Sequence, residues 1–370
     1  MPHLCDICGH PFSQKQGLTK HKARKNPCQK NNTLESLVQA EVAKALASAG
    51  VLPQAPPSAT PVVITKPFLK WVGGKTQIID DVLAQFPQTF VNYYEPFLGG
   101  GSVLLALLSH IKSGRIRSTG KIYASDLNPN IINIFKTIQS NPDAFIAETK
   151  ALIAEFTLIK GTVINRKPTI LDEAKTSQES YYYWIRSCFN ALKGADRNTP
   201  KAAAMCLFLN KTNFRGVYRD GPNGFNVPFG HNKNPSIMDE THIKTVSALI
   251  QPVEFSCCSY VDPLDRSTAG DFVYLDPPYA PENDKSFVGY TTDGFDLANH
   301  QRLFKACATM TTKHVKFLMS NADVKLVRDA FPTPAYQTKT IVCRRAIHST
   351  KPDTKTNEVL ITHTATHLAS

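Results

Sequence analysis

From residue 62 onward, short runs rich in β-branched and aromatic residues alternate with longer stretches whose apolar positions recur at helical spacing. The strand-like runs span residues 90–94, 121–125, 253–256, 272–275, 315–319, 336–342 and 359–363. Helical patterning covers residues 75–85, 102–111, 130–139, 296–310 and 323–330. Such alternation predicts an α/β fold, a mostly parallel sheet with helices on both faces. Between about 145 and 265 the alternation gives way to helical stretches and a polar segment rich in Gly, Asn and Arg, which reads as an inserted domain. Upstream, Leu34, Leu37, Val38, Val42 and Leu46 mark one short amphipathic helix, marginal alone and suited to pairing with a copy of itself or docking on the main domain. Residues 53–61 hold four prolines and form an extended tether.

Composition narrows the function classes. At 370 residues and 42% hydrophobic, the chain is long enough for a large core plus appendages. Its formal charge of +12 and pI near 9.2 favour a polyanionic partner, with nucleic acid ahead of an anionic membrane. No apolar run approaches the roughly 20 residues that span a bilayer, and the start has no basic segment followed by an apolar one. The expectation is a soluble, intracellular protein. Nine cysteines, an odd count, read as reduced thiols with metal binding at the amino end.

The chemistry gathers at Asp276-Pro277-Pro278-Tyr279, which ends the apolar run Phe272-Val273-Tyr274-Leu275. A carboxylate and an aromatic ring are thereby delivered to the carboxyl end of a buried strand. Pro277 and Pro278 have fixed φ and no N–H, so the peptide leaves stiffly with carbonyls free to accept. An exocyclic amine on a flat heterocycle needs such acceptors, because its lone pair is delocalised until its protons are drawn out of the ring plane. The Asp276 side chain and the Pro277 carbonyl suit that task, and Tyr279 suits stacking on the base. Taken alone, the tetrapeptide serves equally as a strand-ending turn.

A second constellation is Tyr94-Glu95-Pro96-Phe97-Leu98-Gly99-Gly100-Gly101-Ser102, a strand, a glycine turn and a helix start. Backbone approaches a ligand closely there, and the helix offers free N–H groups, which suits a nucleoside-bearing cofactor. One strand-helix unit later, Asp126 ends the next strand, where it can accept ribose hydroxyls or cap the following helix. No P-loop Lys-Ser follows the glycines, which disfavours a triphosphate. Lys70, Trp71 and Lys75 fall within one turn-sized stretch before a helix; a cation and an aromatic face there fit a methionine-like group, or a surface loop around a half-buried Trp.

Residues 1–30 form a separate basic module with six Lys/Arg against a single Asp. Cys5, Cys8, His21 and Cys28 have the spacing C-x2-C-x12-H-x6-C, a ligand set for tetrahedral Zn2+ with Phe12 and Leu18 as the small core. His3 and His10 are competing ligands. No open coordination position is evident, so the metal is expected to be structural, and the module to bind DNA, RNA or protein.

In order and spacing these motifs resemble the DNA adenine methylase (Dam) family of adenine-N6 methyltransferases, across roughly residues 66 to 365. Phe68–Lys75, Glu95–Ser102, Ser125–Asn128, Phe225–Gly230 and Asp276–Tyr279 carry the resemblance. It implies a Rossmann-like, seven-stranded methyltransferase sheet with S-adenosylmethionine as methyl donor, a mainly helical target-recognition insert and an added zinc finger. It further implies that Trp71, Lys75, Asp126 and Asp276 contact the donor and that Glu95, Phe97, Gly99 and Gly101 line its pocket. Residues 209–221 look like the family's recognition hairpin, where Arg219 and Lys70 would meet bases or phosphates of double-stranded DNA. After Gly230, His231-Asn232-Lys233-Asn234 departs from members that read GATC, so no target sequence is inferred. The resulting layout is a finger (1–30), helix and linker (31–65), first methyltransferase part (66–145), insert (146–265) and second part (266–370), with oligomeric state open. The expected activity is site-specific methylation of a flipped adenine; the alternatives are RNA adenine methylation and an inactive zinc-finger DNA-binding scaffold.

Overall fold

Seven strands build the central sheet: β1 (Tyr93–Glu95), β2 (Ile122–Asp126), β3 (Val253–Cys257), β4 (Phe272–Leu275), β5 (Lys316–Ala322), β6 (Tyr336–Arg344) and β7 (Lys355–His363). Their order is β3-β2-β1-β4-β5-β7-β6. The neighbours from β3 through to β5 pair in parallel, and β7 runs antiparallel to both β5 and β6. This computed structural model describes residues 62–281, 295–344 and 355–364, together with His3–Leu4, Pro11–Phe12 and Thr19.

The sheet is buried on both faces because neighbouring side chains alternate between two cores. Tyr93, Phe272, Tyr274, Leu318 and Leu360 point to one; Tyr94, Val273, Leu275, Phe317, Met319, Val359 and Ile361 point to the other. On the first face lie α1 (Ile79–Leu83), α2 (Ser102–Lys112) and α3 (Pro129–Ser140), whose apolar residues belong to that core. Helices α4 (Pro142–Leu158), α5 (Leu171–Ala174), α6 (Gln178–Ala191), α7 (Pro200–Thr212) and α8 (Glu240–Leu249) follow; α9 (Val261–Arg266), α10 (Leu297–Thr312) and α11 (Lys325–Ala330) serve the second core.

Several elements differ from their sequence expectation. The run 90–94 splits at Asn92, with Thr89–Phe90 pairing to Arg117–Ser118 and only Tyr93–Glu95 entering the sheet. The helix expected over 75–85 is a 3-10 turn, Lys75–Gln77, followed by α1. Strand β3 lies within the 146–265 span read as an insert, and it forms the edge of the central sheet.

The chain divides into two compact units, Met1–Thr60 and Pro61–Ser370. In the first, His3–Leu4 pairs antiparallel with Pro11–Phe12. Cys5, Cys8, His21 and Cys28, the helix read over residues 34–49 and the tether lie outside the described residues. Among the described residues no cluster of His, Cys, Asp and Glu forms a metal site, and no helix is long and apolar enough to cross a membrane.

Candidate active site

Strand order reverses between β1 and β4, and in open α/β sheets ligands bind at the carboxyl ends of strands beside such a switch point. The chain spends its chemistry there, since β1 ends at Glu95, β2 at Asp126, and β4 runs directly into Asp276.

The glycine turn after β1 is shaped by what packs on it. Gly99 and Gly101 have φ of +48° and +70°, a region that favours glycine. A β-carbon on Gly99 would sit 2.6 Å from Trp71 Nε1, and one on Gly101 2.7 Å from Phe135 Cζ. The indole therefore lies directly on the turn, with its other neighbour the Tyr218 ring, 5.9 Å away centroid to centroid. Asp126 braces this loop through Oδ2, which accepts from Gly99 N at 2.8 Å, while Oδ1 accepts from Asn128 N at 2.9 Å in its own turn. Asn128, not Asp126, caps α3, accepting from Asn130 N at 3.0 Å with Pro129 in the first turn. The Asp126 carboxylate keeps acceptor capacity for a ligand hydroxyl. Burial raises the Asp126 carboxyl above its ordinary value, opposed by these backbone donors.

Asp276 meets a buried cation. Lys75, 2% exposed, places Nζ 2.7 Å from Asp276 Oδ2, 2.5 Å from the Gly73 carbonyl and 5.0 Å from the centre of the Tyr279 ring. The Lys75 backbone is fixed by Ser102 Oγ at 3.1 Å, so the start of α2 sets where the ammonium stands. Burial raises the Asp276 carboxyl, and the Lys75 charge and hydrogen bond pull it back. Glu95, also buried, accepts from Tyr93 Oη at 2.7 Å and is pushed up to about 8, chiefly by burial.

The D-P-P-Y turn is fastened to β5 and β7. Ala280 N donates to Asn321 Oδ1 at 3.0 Å, and Tyr279 Oη donates to Glu358 Oε2 at 2.8 Å. Pro277 is buried and Pro278 exposed. Phe97 joins an aromatic cluster instead of standing clear, its ring stacked on Tyr260 at 5.4 Å and edge-on to Phe295 at 5.9 Å.

The region between β2 and β3 meets this site at the Lys70 loop as well as at Trp71. Asn210, 5% exposed near the end of α7, grips the Lys70 backbone from both sides: Lys70 N donates to its Oδ1 at 2.9 Å and its Nδ2 donates to Lys70 O at 2.7 Å. The exposed Lys70 side chain reaches the Lys211 carbonyl at 3.5 Å, and Lys211 itself is lowered to about 8 by burial and then by Lys70. Arg219 stands exposed beside a two-strand hairpin, Asp220–Gly221 with Gly224–Phe225, its Nε held by Asn226 Oδ1 at 2.6 Å. Phe225 and Val227 are buried, so that part of the F-N-V-P-F-G stretch packs the insert.

Sequence reasoning named the carboxylates and missed their supports. Glu358, Asn321 and Asn210 are polar residues inside or beside apolar runs, and that interruption was the available signal.

A mainly parallel sheet with this strand order, a glycine turn after its central strand and an acidic D-P-P-Y turn on the neighbouring one define a methyltransferase-type α/β protein. Residues 71–347 match the family of D12 class N6 adenine-specific DNA methyltransferases, and the chain belongs to it. It is 36% identical over 264 residues to the type II methyltransferase M.MjaIII of Methanocaldococcus jannaschii, spanning 70% of this chain and 84% of that one. The retron Ec67 DNA adenine methylase of Escherichia coli is 30% identical over 265 residues, covering 71% and 80%. The DNA adenine methylase of Haemophilus influenzae is 29% identical over 277 residues, covering 74% and 85%. The protein is an adenine-specific DNA methyltransferase.

Proposed function

We propose that this enzyme transfers a methyl group from S-adenosylmethionine to N6 of an adenine flipped out of duplex DNA at a defined sequence. The observation that carries the reading is the pairing of Asp276 with buried Lys75, at the carboxyl end of β4 and beside the glycine turn of β1. A neutral turn would need no such cation. The residues suit the donor: a side-chain-free turn under an indole, a carboxylate with lone pairs to spare at the end of β2, and the half-buried Phe97. When bound, the donor supplies an electrophilic methyl group on a sulfonium.

The chain's own part is orientation. The Lys75 ammonium favours the ionised form of Asp276, which then only accepts hydrogen bonds. Asp276 and the Pro277 carbonyl would draw the two N6 protons aside and localise the lone pair toward the methyl group, which would pass to nitrogen as its bond to sulfur breaks, leaving a neutral thioether and an amine that then loses one proton. Most of the gain is positional, so Asp276 need not be a strong base. Duplex adenine is shielded by stacking and pairing, hence the flip, with Tyr279 as the stacking face. Lys70 and Arg219 are proposed to engage DNA from the two sides of the Asn210 clamp. Methyl incorporation into duplex DNA tests the reading: Asp276→Ala should lower turnover by roughly 10²- to 10³-fold. Wild-type turnover in that variant removes Asp276 from the reaction.

We also propose one structural zinc on Cys5, Cys8, His21 and Cys28. The antiparallel pairing of His3–Leu4 with Pro11–Phe12, which flank Cys5 and Cys8 in sequence, supports it.

A further inference from the structure

Glu358 has no part in the reading above, yet it touches Tyr279, the proposed stacking face. It lies on β7 opposite Ala322 of β5 and Ile341 of β6, so two neighbouring strands fix its backbone. The half-buried Tyr279 ring, 79 residues away in sequence, donates its hydroxyl to Glu358 Oε2 at 2.8 Å. The main chain just past the ring is tied to buried Asn321 at 3.0 Å, and the ring face lies 5.0 Å from Lys75 Nζ. The backbone is thus set by β5, one face by Lys75, and the far tip of the ring by β7. Burial and the charges of Asp276 and Glu358 push the Tyr279 phenol well above its ordinary range, which keeps it a donor throughout working pH.

We propose that Glu358 is a positioning residue, whose carboxylate holds the Tyr279 hydroxyl and so fixes the plane on which the extruded adenine stacks over Asp276. The inference rests on the proposed stacking role of Tyr279. A tyrosine anchored only at its Cβ swings between rotamers; one anchored at both ends presents a single surface. Nothing in the chemistry of methyl transfer requires a second carboxylate, and its charge works against an ionised Asp276. Besides the Cys343 thiol on the neighbouring strand, the group it meets is the Tyr279 hydroxyl.

A double-mutant cycle on the full-length enzyme tests this. Glu358→Ala and Tyr279→Phe each remove the same hydrogen bond, from opposite ends, and Tyr279→Phe leaves the strand untouched. Each should lower kcat for methyl transfer by between about 10- and 100-fold, with donor affinity unchanged. The double variant should be no slower than the slower single one, and Glu358→Gln, whose amide oxygen still accepts from the phenol, should recover most of the loss. Multiplying effects, or wild-type kcat in either single variant, overturn the proposal. Tyr279→Ala separates the two layers of argument. If it turns over normally, the stacking role itself is lost; if it is crippled while Glu358→Ala is not, only the role of Glu358 falls.

Discussion

Glu95 carries its proton at neutral pH. Its side chain is 3% exposed, and burial, reinforced by Asp276 nearby, pushes its carboxyl up to about 8 against the hydrogen bond from Tyr93. The proton is linked to folding. The unfolded chain releases it near the ordinary 4.5 and the folded chain near 8, so between those values the folded state binds more protons and rising pH favours unfolding. The contribution is whole below the lower value, falls across the interval and is gone above the upper one. Urea unfolding at a series of pH values should therefore show a downward slope there of at most about 1.4 kcal/mol per pH unit from this group. Glu95→Gln should remove that component, and an unchanged slope would mean that Glu95 titrates like an exposed carboxyl.

At the scale of elements, the strands were the most legible part of the sequence, because strands buried on both faces are written as short apolar runs whatever the neighbours do. The Asp276–Tyr279 turn was legible for a related reason: it follows such a run without a linker, so locating the strand located the carboxylate. Two breaks were hidden because long-range partners make them. The run 90–94 is interrupted where Asn92 binds Asp271 through its N at 3.0 Å and its Nδ2 at 2.8 Å and accepts from Lys121 N at 2.8 Å. The 75–85 helix is a tight 3-10 turn where it begins, at the lysine whose side chain reaches Asp276. Helix α7 escaped notice in another way. From Ala202 to Asn210 every residue is buried, so it has no polar stripe and no helical period to read. The clamp at its end has a testable consequence. Asn210→Ala cuts both hydrogen bonds to the Lys70 backbone, which should cost about 1–3 kcal/mol in urea unfolding. Because Lys70 adjoins Trp71, the same change should weaken donor and DNA binding together, whereas Lys70→Ala should weaken DNA binding alone. Loss of only one affinity in the Asn210 variant would show that the loop is not held as a unit.

For the whole molecule, the question is what a basic appendage adds to an enzyme whose reactive groups all lie in the second unit. Residues 1–30 carry six Lys/Arg against one Asp, and the tether that follows is proline-rich. The proposed finger would read about three base pairs at most, too few to set a target by itself. Its stronger effect would be to keep DNA near the reactive unit, since a tethered second contact acts at an effective concentration set by the linker. Each phosphate it neutralises also releases counterions and steepens the dependence of affinity on salt by about 0.9 in log-log slope. An enzyme lacking residues 1–60 should therefore bind long duplexes more weakly and with a shallower salt slope, while keeping kcat at saturating DNA. Full-length protein should contain one zinc per chain by elemental analysis, and stripping it with a chelator should reproduce the deletion, since a finger this small has too little core to fold without metal. If the deletion instead abolished turnover on saturating short duplexes, the amino-terminal unit would have to act on the reacting base, not on the residence of the DNA.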